Sequence, residues 1–512
     1  MNEHALPTVW GLPAAAFLTP LGAAILVLLG KRLGQRFWQA VTLLGAAVTT
    51  VIGFAMLPAV LHGGVITAWG NELRVDALSA LMVVLVGGIG LLAALYSVRY
   101  LTRAKVLDRV GLDVALRRLW VFHWLFLGFL GTMVWACVTN NVIMLFVAVE
   151  ATTLTSGLLV AFFWDRRALE AGYKYLILLT IGVTFALFGC VLLYAAGAAT
   201  GQIDGRSALL ISELRKVAQL LPRGPAAMAV AFLVIGFGTK AGVVPFHAWL
   251  PDAHAEAPTP ISVLLSGVMI KVAVYAMART VSIFFPVWHA LNIFLVALGI
   301  FTMFVGILLA LRQDDLKRLL AFHSVSQMGY ILSGIGLGTY LGVYGGLFHL
   351  LNHTIFKSLL FLSVGSLIFA SGGLRHISQM SGLARRMPIT ATCFFVGALA
   401  MGGMPPFNGF MSKLTLFLAF VDRGLYWAAA IGMLTSLLTL ACLVHAGYLV
   451  FWGKLQLSGS TGTVEPREAP PSMLAGMVVL AGLALLIGVF PQTVYPILDS
   501  ATKCILQVLT VM

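Results

Sequence analysis

The chain has 512 residues, 60% of them hydrophobic and only 10% charged, with a mean hydropathy of +0.99; that leaves too few polar groups to cover a soluble globule. Its apolar stretches run to about 20 residues between short polar loops, the length at which a helix crosses roughly 30 Å of hydrocarbon, and no alternating barrel pattern occurs. The formal charge of +14 resides mainly in loop Lys and Arg, which orient a membrane protein, so no nucleic-acid partner is expected.

In chain order, these stretches predict an all-α integral membrane protein of about 14 transmembrane helices, over 12–30, 37–61, 77–97, 119–138, 141–163, 174–198, 227–250, 260–285, 288–311, 318–340, 341–370, 388–421, 425–452 and 472–498. The start MNEHALPTVW lacks the basic opening and small-residue cleavage site of a signal peptide, so the first stretch is read as a retained span. Loops leaving odd-numbered spans hold about 20 Lys and Arg, among them Arg103, Lys105, Arg109, Arg117, Arg166, Arg167, Lys174, Arg385 and Lys454, against about 7 elsewhere. That bias predicts cytoplasmic odd loops and both termini outside. The loop PDAHAEAPTP carries no Lys or Arg, and its parity alone assigns it. The five cysteines are isolated, with no CxxC, disulfide framework or iron–sulfur ligand set.

Two segments read as broken helices: GTKAGVVPFHAWLPDAHAEAPTP in span 7, around Pro245, and GGMPPFNGFMSK in span 12, around Pro405 and Pro406. Proline removes a backbone donor and clashes with the preceding turn. Irregular backbone at membrane depth is tolerated where it is buried in protein or lines a polar cavity, so each break is a candidate site. The breaks lie five spans apart, which predicts two five-helix repeats, spans 4–8 and 9–13, the second inverted because each holds an odd number of spans. Lys240 precedes its break whereas Lys413 follows its own, so the repeat rests on spacing and parity. The predicted organisation is 1–118 for helices 1–3, 119–285 and 286–452 for the repeats, and 453–512 for a loop and helix 14.

Of the 18 acidic residues, only Glu150 falls deep in an apolar span, where a carboxylate costs several kcal/mol unless paired, protonated or hydrated. Four lysines also fall within spans: Lys240, Lys271, Lys357 and Lys413. Snorkelling to the interface would account for Lys357 and Lys413. It does not fit Lys271, about 11 positions or roughly 16 Å beyond Pro260. Burial disfavours an ammonium and a nearby carboxylate favours it, so a buried lysine beside Glu150 is switched by moving that one charge. His323 opens span 10, and His349, His353 and Lys357 recur at i, i+4 and i+8 on one helix face. Three histidines with a lysine, two of them on its stripe, favour a hydrated proton path over simple helix glue. The HxxxH spacing resembles metal ligation, but a third ligand and the HExxH glutamate are missing, so no metal is expected. His254-Ala255-Glu256 is not followed by the PCxxC of zinc deaminases. Gly88, Gly90 and Ala93 fit a loose GxGxxA, yet inside an apolar span where helix packing explains them.

The runs KAGVVPFHAWLPDAHAEAPTPISVLLSGVMIK, VEATTL, LLAFHSVSQMGY, FHLLNHTIFKSLLFLSVGSL and MPPFNGFMSK resemble the antiporter-like membrane subunits of respiratory complex I, group 4 membrane-bound hydrogenases and Mrp sodium/proton antiporters, from about residue 70 to 450. The resemblance implies that Glu150 pairs with Lys240, that Lys271 follows, that His323, His349 and His353 lie on a central polar axis, and that Lys413 opens the exit half-channel. The long lateral helix of the largest complex I antiporter-like subunit has no expected counterpart, because the chain ends after span 14. The wording around His323 and Pro406 looks closest to hydrogenase and Mrp-type subunits.

Together these features predict a proton-translocating subunit of a redox-driven, multi-subunit complex of NADH dehydrogenase or hydrogenase type, in a bacterial or archaeal cell membrane. No cofactor is expected in the chain, so electron transfer falls to partner subunits. The alternatives are a sodium/proton antiporter, either self-sufficient or a subunit of the Mrp type, and a scaffold whose polar residues glue helices. A sodium site favours clustered carboxylates, and only Glu150 is available.

Overall fold

The structure is a computed structural model and describes residues 11–61, 63–101, 112–458 and 465–506. Arg103, Lys105, Arg109 and both chain ends, on which part of the orientation argument falls, lie outside the described residues, as does the side chain of Arg117.

Helices dominate: α1 (Leu12–Leu29), α2 (Gln35–Val60), α3 (Ala77–Tyr100), α4 (Leu112–Val138), α5 (Val142–Val160), α6 (Arg166–Ala198), α7a (Arg223–Ala241), α7b (Trp249–Glu256), α8 (Thr259–Phe284), α9 (His289–Ala310), α10 (Leu316–Gly336), α11 (Tyr340–Ala370), α12a (Pro388–Gly402), α12b (Asn408–Asp422), α13 (Tyr426–Phe451), α14 (Pro471–Val489) and α15 (Tyr495–Leu506). Polar loop residues start several of them. Asp76, Asn141, Asp165, Asp315 and Thr339 each accept a backbone N–H two or three residues on, satisfying donors that a helix start leaves unpaired.

Among the described residues, 12 helices are long and apolar enough to cross a bilayer. The two expected spans outside that set are α10, long enough but carrying Lys317, Arg318, His323 and Gln327, and α12, which is two short pieces. Two sequence boundaries move. Asp165 caps α6 early enough that Arg166, Arg167 and Lys174 fall inside it. PDAHAEAPTP begins within α7b rather than forming a loop, because Pro251 sits in the first helical turn, where its missing N–H costs nothing.

Loop contacts follow parity. Arg375, between α11 and α12a, binds Glu256 at 2.9 Å and Asp315 at 2.7 Å, and Arg318 binds Asp252 at 2.7 Å, joining the α7–α8, α9–α10 and α11–α12 connections. The short strand Met380–Ser381 pairs with Gln456–Leu457 on the same side. On the other side, the hairpin of β1 (Ile66–Ala68) and β2 (Leu73–Val75) bridges to Thr139, and Asn141 bridges to Leu210.

The two breaks share one backbone device. After α7a, Gly242 is left-handed and Val243 N–H reaches the Gly238 carbonyl; after α12a, Gly403 is left-handed and Met404 N–H reaches the Leu399 carbonyl. In each, the glycine's own N–H bonds three residues back, a Schellman stop, and a Pro-Phe pair follows at the same distance: Pro245-Phe246 and Pro406-Phe407. Positive φ favours glycine at both positions. A Cβ at Gly403 would also meet Lys413 Cδ at 3.0 Å.

The membrane-spanning windows of α8 and α11 are wholly buried inside the chain. Those of α2, α13 and α14 present large apolar side chains outward, such as Phe54, Leu437 and Val479. A helix enclosed by protein can carry charged groups that a lipid-facing helix cannot, and α8 and α11 are where Lys271, His349, His353 and Lys357 lie.

Candidate functional site

Glu150 occupies the middle of α5 and is half-buried. Its Oε1 accepts from Thr180 on α6 at 2.9 Å, and its Oε2 from Thr153, one turn on, at 3.3 Å. Lys240, in the last turn of α7a and 1% exposed, donates from Nζ to the same Thr153 hydroxyl at 2.7 Å. Ammonium and carboxylate are therefore not in direct contact; Thr153 accepts from one and donates to the other. Opposite charges this close interact by on the order of a few kcal/mol at an effective dielectric constant of about 20.

From Lys240 the polar series continues inward. Its ammonium lies 5.9 Å from the ring centre of Tyr175, whose hydroxyl meets Ser156 at 2.5 Å and Met269 Sδ at 3.2 Å. Met269 ends a π-helical turn, Leu265–Met269, inside α8. Such turns recur at functional sites because the helical ladder opens there. Here Lys271 donates to the Ser266 carbonyl of that turn. Ser266 Oγ lies 2.7 Å from Ser324 Oγ on α10, Ser324 donates to the Leu320 carbonyl at 3.1 Å, and Lys357 on α11 donates to that same carbonyl. Lys271 and Lys357 thus each end on a backbone carbonyl, on either side of the Ser266–Ser324 contact between α8 and α10. Lys357 is wholly buried and does not snorkel: α11 is enclosed on all sides, leaving no interface within its reach.

Beyond Lys357 stand the histidines. His349 Nδ1 is 3.0 Å from Ser412 Oγ, and its Nε2 is 3.0 Å from Gln327 Oε1. His353 stacks 6.3 Å from His349. His323 and His353 are fully buried and neither ring nitrogen of either has a hydrogen-bond partner among the described residues. Lys413, the neighbour of Ser412 on α12b, donates to the Met401 carbonyl at 2.7 Å and Ser436 Oγ at 2.9 Å, and sits 5.0 Å from the Tyr330 ring centre. Its buried ammonium caps a carbonyl freed where α12a ends.

The fold brings together the ionisable residues singled out from the sequence, Glu150 half-buried and the lysines and histidines buried, with Pro245, Pro405 and Pro406 at the two stops beside Lys240 and Lys413. Sequence reasoning missed the hydroxyls between them: Thr153, Thr180, Ser156, Tyr175, Ser266, Ser324 and Tyr330. Thr153 carried a signal, three residues after Glu150 on the same helix; the others meet their partners only across helices. His254 was passed over as a failed zinc motif, yet it is fully buried and neither ring nitrogen has a hydrogen-bond partner among the described residues.

Comparison with known proteins gives a consistent set. The family described as NADH:quinone oxidoreductase/Mrp antiporter, TM, matches residues 139–439, and that described as NADH-Ubiquinone oxidoreductase (complex I), chain 5 N-terminus, matches residues 70–109. The chain is 34% identical over 372 residues to the hydrogenase-4 component F homolog of Methylacidiphilum infernorum, across 72% of this chain and 77% of that protein. It is 31% identical over 508 residues to NADH-quinone oxidoreductase subunit N of Desulforudis audaxviator, across 94% and 96%. It is also 34% identical to a Na(+)/H(+) antiporter subunit of Alkalihalophilus pseudofirmus, of which it spans about half, 54%, while 84% of this chain is matched. Among solved structures, a subunit of the archaeal membrane-bound sulfane sulfur reductase shares the fold with a TM-score of 0.84 and 28% identity, over 97% of this chain and 98% of that one. A subunit of the Mrp complex from Dietzia sp. DQ12-45-1b shares it with a TM-score of 0.85 over 98% of both, at 24% identity, a likeness of fold alone. Both solved neighbours come from multi-subunit membrane complexes, and this chain belongs to the same NADH:quinone oxidoreductase/Mrp antiporter family of membrane subunits.

Proposed function

We propose that the chain carries protons across a prokaryotic plasma membrane as one subunit of a redox-driven assembly, with Glu150, Thr153 and Lys240 as its charge switch. Lys271, Lys357, His323, His349 and His353 form the relay, and Lys413 is the outlet gate. The observation that carries this reading is the complete burial of Lys271 and Lys357 on either side of the Ser266–Ser324 contact, each ammonium held on a backbone carbonyl, in helices whose burial would make idle charges costly. A proton arriving near Glu150 neutralises the carboxylate, Lys240 loses its stabilising neighbour, and its proton moves inward.

The domain division at 118, 285 and 452, with an inverted second repeat, is supported by the shared stop of the two breaks. Cytoplasmic odd loops and outward termini are supported by loop charge and by the parity of the loop contacts. A second reading, a subunit of a sodium/proton antiporter, draws on the likeness to the Alkalihalophilus antiporter protein. A lone carboxylate with two threonine hydroxyls is a sparse site for sodium beside a lysine.

The test is proton uptake by everted vesicles holding the whole assembly. Glu150→Gln and Lys240→Ala are each expected to remove most coupled pumping, by roughly tenfold or more, while the assembly stays intact by native gel. Normal pumping in both variants would remove the pair from the mechanism. Failure to assemble in both would favour the scaffold reading.

A further inference from the structure

The path above leaves one polar region of the fold unused. On the face opposite the Lys- and Arg-rich loops, a cavity of about 790 Å³ opens between β2, the α4–α5 turn, the short helix Ile211–Lys216 and the end of α8. Its lining includes Asp76, Thr139, Asn140, Arg215, Tyr275 and Arg279. Arg279 grips Asp76 with both terminal nitrogens, Nη1 to Oδ2 at 2.6 Å and Nη2 to Oδ1. The same Nη2 reaches Ser79 Oγ at 2.9 Å, and Ser79 lies 2.8 Å from the hydroxyl of Tyr275, which donates to the Cys137 carbonyl at 2.7 Å. Arg215 frames the side wall, bonding the Cys504 carbonyl of α15 at 2.7 Å and Ser282 Oγ at 3.1 Å, while its Nε has no partner among the described residues. Burial pushes the Asp76 carboxyl up, but the charge and hydrogen bonds of Arg279 outweigh it and hold it at about 2. The Asp76 carboxylate stays ionised at working pH.

Along α8, Lys271, Tyr275 and Arg279 recur at i, i+4 and i+8, one stripe with steps of about 6 Å. The cavity floor at Tyr275 is thus one turn from the mid-membrane lysine. Lys271 itself points the other way, to the Ser266 carbonyl in the π turn. The Ser266 carbonyl is the partner Lys271 has in this structure; the Tyr275 hydroxyl, one turn outward, is what its four-carbon stem would reach on swinging along the helix.

We infer that this cavity is the outer vestibule of a second proton outlet, one that belongs to the first half of the chain, with Tyr275 as its inner contact and the Arg279–Asp76 pair as its gate. This rests on the reading of Lys271 as a proton carrier. When Lys271 swings outward, an N–H bond of its ammonium breaks to leave the neutral amine, and the proton passes by the Tyr275 hydroxyl to form an O–H bond on vestibule water. The guanidinium groups of Arg215 and Arg279 on the wall raise the barrier to passive proton passage. A merely structural pair would staple α3 to α8 above a cavity unconnected to Lys271, and that alternative predicts different behaviour.

The test uses the intact assembly in membrane vesicles. Tyr275→Cys is treated with a small membrane-impermeant methanethiosulfonate and read by peptide mass spectrometry, with the reagent on either face. Modification from the face opposite the basic loops, and not from the loop face, is expected. In parallel, Tyr275→Phe keeps the packing and removes the hydroxyl; pumping is expected to fall to below about a tenth, since a positioned proton-transfer group contributes on the order of 10²-fold or more. Arg279→Gln is expected to raise passive proton leak. If Lys271→Ala abolishes pumping while Tyr275→Phe pumps normally, or residue 275 resists the reagent from that face, the vestibule is refuted and the relay stands. Normal pumping by Lys271→Ala refutes the relay, and this outlet with it.

Discussion

A hydroxyl between two opposite charges couples them more loosely than a direct ion pair, because it can turn its one proton toward the carboxylate or away. Thr153 holds that position between Glu150 and Lys240, and Thr180 steadies the carboxylate from α6. Thr153→Val keeps the shape, removes the bridge and leaves a buried ammonium without its 2.7 Å acceptor; loss of an acceptor for a buried charge costs about 1–3 kcal/mol or more. Coupled pumping is expected to fall roughly tenfold in Thr153→Val and to stay near normal in Thr153→Ser, measured as acridine fluorescence quenching in everted vesicles. Equal activity in both variants would make the hydroxyl incidental. At this scale the sequence was legible wherever chemistry is rare in its surroundings: one acid and four lysines stand out in apolar runs. The serines and tyrosines between them do not, since such residues are ordinary in membrane helices, and Ser266 acquires meaning only once α10 brings Ser324 to 2.7 Å.

Helix stops and loop contacts set where these side chains sit. Proline marked both breaks from the sequence, and the Gly-x-x-Pro-Phe runs at Gly242 and Gly403 were there to be read. The unlike placing of Lys240 and Lys413 hid them, because it drew attention to side chains when the repeat lies in the backbone. The π turn before Lys271 left no trace in the sequence, since Leu265–Met269 contains no proline and reads as ordinary helix. The early start of α6 was hidden by its charged first turns, which resemble a loop until Asp165 is seen to cap them. Loop contacts by parity give the elements alternating directions, and with the loop charges they predict a cytoplasmic 454–470 segment and outward termini. Reporter fusions at Met1, within 454–470 and after Met512 check this. Phosphatase activity at the ends and fluorescence only in the loop is expected; a cytoplasmic signal from either end would overturn the orientation.

Across the whole molecule, the ionisable groups are spread over α5, α7a, α8, α10, α11 and α12b rather than gathered around one pocket. A free-standing secondary transporter binds its ion at a single midplane site and rocks two bundles around it. A chain-long series suits relay along the membrane plane, and a relay needs a trigger. In the proposed function Glu150, half-buried in α5, is where a neighbouring subunit's charge acts, and the origin of the sulfane sulfur reductase neighbour in a membrane complex fits a trigger from outside the chain. Proton flux measured with and without sodium, in everted vesicles carrying either the chain alone or the whole assembly, tests this most directly. The account predicts no sodium-dependent proton release from the lone chain and pumping by the assembly that does not require sodium. Robust sodium-dependent release by the chain alone, lost on Lys240→Ala, would contradict it.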